Sequence, residues 1–174
     1  MVSLQVKWAG RTVRQALRFA AALTFAQASG LAQIETAEIL TSGVSCGVCA
    51  AVSEVQFRRM EGVGKVTISL PKESITLYYK PYAGFSVQAV QRVLDPLNVR
   101  ILRIRITARG RLEDGPEGKK FLVVGRNRLL VRLPPGAGEI SPGEHVVVEG
   151  LLIQSGETME CKVAKVAISA KGEK

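Results

Sequence analysis

The chain has 174 residues, 47% of them apolar and 22% charged, with a formal net charge of +9. This length allows one large or two small domains, and the composition excludes both a disordered chain and a polytopic membrane protein. Residues 1–32 hold four cations and no acid, whereas the other 142 residues hold 20 cations and 15 acids. Because the rest of the chain therefore has a net charge of only +5, its basicity is weak support for nucleic-acid binding.

The first 32 residues form a basic segment, a short apolar run and an exit of small residues. The run from Phe19 to Ala26 is too short to span a membrane, which takes about 20 apolar residues. The pattern is typical of a secretory signal peptide, with cleavage after Ala28 or Ala32, and an amphipathic surface helix or an uncleaved anchor is the alternative. We therefore expect residues 1–32 to be a leader and the mature protein to be exported to the periplasm or the extracellular space.

The apolar pattern from residue 33 to 106 predicts six elements. Two are helices, over 50–60 and, capped by Ser86, over 87–94; Gly62 ends the first and Asp95-Pro96 the second. Four are strands, over 34–40, 66–70, 75–79 and 99–106. The order strand, helix, strand, strand, helix, strand predicts an α+β domain with the ferredoxin-like split βαβ topology.

Residues 107–174 have a different character. They hold ten of the 17 glycines and four of the seven prolines, and they lack a helical repeat. The turn signals separate five short strand candidates, over 109–112, 121–125, 129–133, 145–152 and 161–168. Five such strands predict a small closed barrel, which resembles the oligonucleotide/oligosaccharide-binding (OB) barrel. One long strand over 99–112 could be shared by both halves, so the boundary at 106 is approximate.

The segment Gly43-Val44-Ser45-Cys46-Gly47-Val48-Cys49 lies between the first predicted strand and the first helix. Two thiols separated by two residues can converge on one ion, and a helix N-terminus favours their thiolate form. With two thiolates and no neighbouring His or acid, the site suits a soft ion of low coordination number, Cu(I) or Hg(II). Zn(II) is a poorer fit, because a structural zinc site takes four ligands.

Over residues 34–106 the chain resembles the heavy-metal-associated (HMA) domain family of copper chaperones, metal-exporting ATPases and periplasmic mercury-binding proteins. The resemblance rests on the Cys-x-x-Cys loop, on Gly62-Val63 where the family has Pro-Gly-Val, and on Pro81 after the hairpin. It implies reversible binding of one soft ion by Cys46 and Cys49. It also implies transfer to a partner protein with exposed thiols, such as a membrane transporter.

The chain departs from the family pattern at three places. Val44 replaces the family methionine. Ser45 stands where zinc-exporting relatives often carry Asp, and the lack of an Asp at this position favours copper or mercury. Asp95-Pro96-Leu97-Asn98 replaces the usual Gly-Tyr or Lys, so no further residue near the metal is carried over. A structural disulfide or a catalytic redox pair remains an alternative for Cys46 and Cys49.

The third cysteine and the single histidine are not assigned to the site. We expect Cys161 to be a buried, inert thiol, with a third soft ligand or an intermolecular disulfide as alternatives. If the last hairpin is centred near Ser155-Gly156, Met159 faces Leu152 rather than His145, so His145 is expected on the surface.

The barrel half offers little for other functions. Phe121 is its only aromatic residue, and nucleic-acid-binding barrels interleave several aromatics with cations. A modest cationic patch could form from its arginines, Arg109, Arg111, Arg126, Arg128 and Arg132, although a solvated strand face is the simpler interpretation. We therefore expect no nucleic-acid partner, while a nucleic-acid or glycan binder stays an alternative. A single histidine and no nucleophile–His–acid set argue against an enzyme.

Overall fold

The computed structural model describes residues 33–44, 46–125, 127–137, 140–156 and 158–169. The predicted leader lies outside these residues. The protein is a mixed α+β structure with two α-helices and eight strands in the described part. Their bounds are β1 Gln33–Ser42, α1 Gly47–Arg58, β2 Val63–Ser69, β3 Ser74–Tyr79, α2 Val87–Leu94, β4 Arg100–Asp114, β5 Lys120–Val124, β6 Asn127–Arg132, β7 His145–Ser155 and β8 Thr158–Ile168.

The first half has the predicted order of elements, β1-α1-β2-β3-α2-β4. Its four strands lie in the order β2-β3-β1-β4, and each neighbouring pair is antiparallel. Apolar residues face one another across the strands, as where Ile39 lies opposite both Ile75 and Ile104. These side chains are buried together with Phe57 of α1 and Val90 of α2, so the helices and the sheet share a core.

The two helices begin at capping residues. Helix α2 has the predicted bounds, and its N-cap Ser86 accepts a hydrogen bond from the amide of Ala89 at 3.2 Å. Helix α1 begins at Gly47, three residues before the predicted start, because Cys46 acts as its N-cap. Because α1 starts at Gly47, Cys49 lies inside its first turn, next to the capping Cys46.

Strand β4 joins the two halves. The sequence left open separate strands over 99–106 and 109–112 or one long strand over 99–112 shared by both halves. The shared strand is confirmed, because β4 is one strand of 15 residues. It pairs with β1 from Arg100 to Arg109 and with β7 from Ile104 to Arg111. The predicted domain boundary after residue 106 therefore falls inside a continuous strand, and the division into domains stays a prediction.

The second half closes into a five-stranded barrel. Its strands pair in the cyclic order β4-β5-β6-β8-β7-β4, with β6 and β8 parallel and the other pairs antiparallel. The predicted small barrel is confirmed, whereas its assignment to the OB class stays a prediction. Strands β7 and β8 are longer than predicted, because their hairpin pairing continues to Ser155 and Thr158.

The barrel lies at the end of the sheet opposite the cysteine loop. Arg100, at the start of β4, lies opposite Ser42 at the end of β1, and β4 then runs away from this end into the barrel. At the far end, Asn127 of β6 holds the backbone of Phe85 through two hydrogen bonds of 3.1 Å. No helix in the described ranges is long and apolar enough to cross a membrane.

Candidate metal centre

The cysteine loop connects β1 to α1 and is fixed at both sides. Its Gly43 has a φ of +108°, and a Cβ atom there would lie 3.2 Å from the carbonyl oxygen of Asn98. This backbone conformation and this close approach both favour glycine. Just before it, the amide and the hydroxyl of Thr41 donate to the carbonyl of Glu73 at 2.8 and 2.7 Å. The loop is thereby held against the β2–β3 turn and the segment that follows α2.

Cys46 and Cys49 are brought together as the sequence predicted. They are joined as a disulfide, with their Cα atoms 5.4 Å apart. Cys46 is exposed and Cys49 half-buried, so the pair lies at the surface. The amide of Cys49 donates to the sulfur of Cys46 at 3.1 Å. This donor, at the positive end of the α1 dipole, would stabilise a thiolate at Cys46 once the pair is reduced.

Val44 joins the loop to the hydrophobic core. Its side chain is fully buried within the main core cluster, at the position where the family has methionine. The departure from the family pattern therefore leaves this position filled by a smaller apolar side chain. Ser45 lies outside the described residues.

The pair has no additional protein ligand in the part of the chain that the structure describes. No group of three or more His, Cys, Asp or Glu side chains comes together there. Two sulfurs alone suit a soft ion of low coordination number, whereas zinc would need further ligands from water or from another chain.

Cys161 lies inside the barrel, far along the chain from the pair. It is fully buried, and burial together with the neighbouring Glu160 raises the pKa of its thiol to about 11. A buried thiol with a raised pKa is a poor nucleophile and a poor ligand, which agrees with the expected inert role.

The sequence-based pairing of the last hairpin was wrong by two residues. Leu152 lies opposite Cys161, and Met159 lies opposite Gln154. His145, expected on the surface, is half-buried opposite Arg111, and its Nδ1 atom is buried without a hydrogen-bond partner. His145 lies seven residues along β7 from Leu152, the partner of Cys161, so a His/Met/Cys cluster does not form.

The arginines of the barrel half are mostly engaged in ion pairs. Three of them bind carboxylates, in the pairs Arg109–Glu35, Arg111–Glu113 and Arg132–Glu160. Arg128 lies over the ring of Phe121, 4.2 Å from its centroid. Arg126 lies outside the described residues. The described arginines of the barrel half are thus already engaged with carboxylates or with an aromatic ring.

One surface feature was missed by the sequence analysis. Val48, Val52 and Val55 of α1 are 75%, 40% and 48% exposed, while the buried side of the helix carries Ser53 and Phe57. Their spacing of four and three residues places them along one side of a helix. This spacing could have indicated a second apolar side of α1 from the sequence alone.

No protein-family model matches this chain, and no curated protein matches it. Among solved structures it is similar to a CopZ metallochaperone, with 16% identity and a TM-score of 0.35 over 38% of this chain and 98% of that one. It is also similar to the yeast copper transporter domain Ccc2a, with 21% identity and a TM-score of 0.35 over 40% and 97%. The water-soluble region of the P-type ATPase CopA from Bacillus subtilis matches with 24% identity and a TM-score of 0.37 over 50% and 56%.

Proposed function

We propose that the reduced Cys46–Cys49 pair binds one soft metal ion, Cu(I) or Hg(II), and passes it to the thiols of a partner protein. The observation that carries the proposal is the position of the two sulfurs, side by side at the exposed N-terminus of α1. The surrounding order of elements is that of the ferredoxin-like topology, to which we assign this half.

Transfer follows from the exposure of the site. A soft ion held by two thiolates can accept a third one, so an incoming sulfur bonds to the ion before one of the first two leaves. The departing thiolate takes the proton that the incoming thiol gave up, and the oxidation state of the metal does not change. Because Cys46 is exposed, a thiol of another protein can reach the ion.

Native mass spectrometry of the reduced protein tests the proposal. We expect one Cu(I) or one Hg(II) per chain and no retention of Zn(II). The variants Cys46→Ser and Cys49→Ser should lose the ion, whereas Cys161→Ser should keep it. Retention of the ion by Cys46→Ser, or equal retention of Zn(II), would contradict the two-thiolate site.

A second candidate is an interaction module in which Cys46–Cys49 is a permanent disulfide. The joined sulfurs favour it. The two candidates differ in whether a thiol reductant restores metal binding. The oxidised protein is incubated with reduced glutathione, and free thiols are counted by alkylation and mass. Two new thiols that then bind Cu(I) support the metal carrier, and a pair that stays oxidised supports the disulfide module.

For the barrel we propose a non-enzymatic role without nucleic-acid binding. The ring of Phe121 is covered on one face by Arg128, and a Cβ on Gly115 would lie 2.3 Å from a ring carbon. Little of its surface is left for base stacking, which contributes about 1–3 kcal/mol per base. Fluorescence anisotropy with a labelled oligothymidine should show only weak binding that disappears as salt is added. Tight binding at physiological salt would show this reasoning to be wrong.

A further inference from the structure

Strand β8 has an open edge along its second half. On one side β8 pairs with β7 along its length, but on the other side only residues 160–162 meet β6. Strand β6 ends at Arg132, and Pro134 and Pro135, which have no N–H group to donate to a ladder, follow one residue later. The pairing therefore stops there, and residues 163–168 of β8 lack a neighbouring strand on that side in the described part of the chain.

The β7–β8 ladder fixes the direction of the unpaired backbone groups. The amide of Ser169 donates to the carbonyl oxygen of His145 at 2.8 Å, so these two residues form a hydrogen-bonded pair. Hydrogen-bonded and non-hydrogen-bonded pairs alternate along an antiparallel ladder, so Ala167 bonds to β7, whereas Val166 and Ile168 do not. The N–H and C=O groups of Val166 and Ile168 therefore point toward the open edge, where no backbone hydrogen bond joins them to a described residue.

A groove of about 620 Å³ lies beside this edge. It is lined by residues 134–137 of the β6–β7 loop and by β7 and β8, including residues 164–167. Its volume falls in the range of ligand-binding clefts, about 300–1,000 Å³. The charged residues of the lining, Glu149 and Lys165, form an ion pair with each other at 3.6 Å, so the lining carries no net charge. The space next to β8 is therefore open and neutral.

We propose that this edge binds an extended peptide segment of a partner protein, which adds to β8 as a sixth strand of the barrel. A row of unpaired N–H and C=O groups is matched by the backbone of another extended chain, and this pairing does not depend on the metal site. Because residues 134–137 continue from β6, the parallel neighbour of β8, they lie across the groove from β8. The groove therefore admits a single strand and excludes the folded edge of a second copy.

The side chains at the edge indicate which peptide fits. Val166 and Ile168 are two residues apart and so lie on the same side of β8. Val166 is half-buried against the core, and Ile168 is 60% exposed. A peptide with an apolar side chain at every second position would cover both, because side chains of neighbouring strands pack in cross-strand pairs. The neutral lining adds no requirement for a charged residue.

The probe is a fluorescein-labelled heptapeptide, Lys-Val-Thr-Val-Thr-Val-Lys, blocked at both ends. Its lysines are repelled by a positively charged protein, so electrostatic attraction cannot imitate binding. Fluorescence anisotropy should show one-to-one binding at least tenfold tighter than that of the same peptide N-methylated at two adjacent central residues. In hydrogen exchange, the amides of Val166 and Ile168 should exchange at least tenfold more slowly with peptide bound. The amides of β2, which also pairs on one side only, should be unchanged.

Two variants test the position of the peptide. Val166→Pro removes an N–H group that points away from β7 and should weaken binding at least tenfold. Ala137→Trp fills the groove from the loop and should have the same effect without altering β8. The matched control is Ala51→Trp at an exposed position of α1, which should bind like the unaltered protein.

Four outcomes overturn the proposal. They are the absence of saturable binding to the unaltered protein, equal binding of the N-methylated peptide, equal protection of the β2 amides, and unchanged binding by Ala137→Trp. Protection of Val166 and Ile168 without peptide would also overturn it, because the edge would then be covered by this chain itself, within one copy or between two. None of these measurements depends on a bound metal, so they leave the proposed function untouched.

Discussion

Replacing Cys161 by serine should destabilise the barrel without changing soft-metal affinity. The thiol is fully buried opposite Leu152, and a Cβ on Gly150 would lie only 2.7 Å from its sulfur. A serine hydroxyl in this apolar position would lack a hydrogen-bond partner, which costs about 1–3 kcal/mol. For a chain of this size about 1 kcal/mol lowers Tm by about 2–4 °C, so a loss near 2 kcal/mol lowers it by about 4–8 °C.

The same burial should make Cys161 slow to react. With its pKa raised from 9.0 to about 11, roughly 0.1% of the thiol is ionised at pH 8, against about 9% at the ordinary value. Since the thiolate is the nucleophile, the raised pKa alone lowers reactivity about a hundredfold, and burial lowers it further. In the reduced, folded protein, iodoacetamide should therefore modify two thiols quickly and the third only after denaturation.

The assay compares three variants by titration with Cu(I) against bathocuproine disulfonate. Cys161→Ser should keep the affinity of the unaltered protein within twofold, while Cys46→Ser and Cys49→Ser should each lose at least a thousandfold. If Cys161→Ser lost binding as completely as Cys46→Ser, the barrel would have to donate a ligand and the two-thiolate site would be refuted. Rapid alkylation of all three thiols would refute the buried, inert position of Cys161.

Three further predictions concern Gly110, Asn127 and the N-terminus of the mature protein. Gly110→Ala should destabilise the protein by at least about 2 kcal/mol in chemical denaturation, because its Cβ would lie 2.3 Å from a backbone carbonyl oxygen; Gly84→Ala, with open space around it, is the control. Asn127→Ala should cost about 1–3 kcal/mol by the same measurement, because both hydrogen bonds to Phe85 are lost; an unchanged midpoint would contradict this. N-terminal sequencing of protein from its native compartment should find a start at Ser29 or Gln33, and a start at Met1 or Val2 would reject cleavage.

The sequence determined the order of the elements and the place of the candidate site. Alternating apolar residues specified the strands of both halves, since a strand with one buried side shows a period of two. Helix α2 could be placed to the residue, because Ser86 and Pro96 are local signals whose effects do not depend on distant parts of the chain. The pairing of Cys46 with Cys49 was equally local, because a spacing of three residues brings the sulfurs together at a helix N-terminus.

Only the tertiary structure decided how the halves are joined and which apolar residues stay outside. That β4 continues from one half into the other depends on partners on both edges, β1 and β7, which are far apart in sequence. The two-residue difference in the pairing of the last hairpin arose in the same way, from a turn whose chemistry does not specify the register. Helix α1 carries apolar residues on more than one side, and periodicity alone does not say which side meets the sheet. Phe57 is covered and Val48, Val52 and Val55 are left to solvent, because packing against β2 and α2 can bury only one side of a helix.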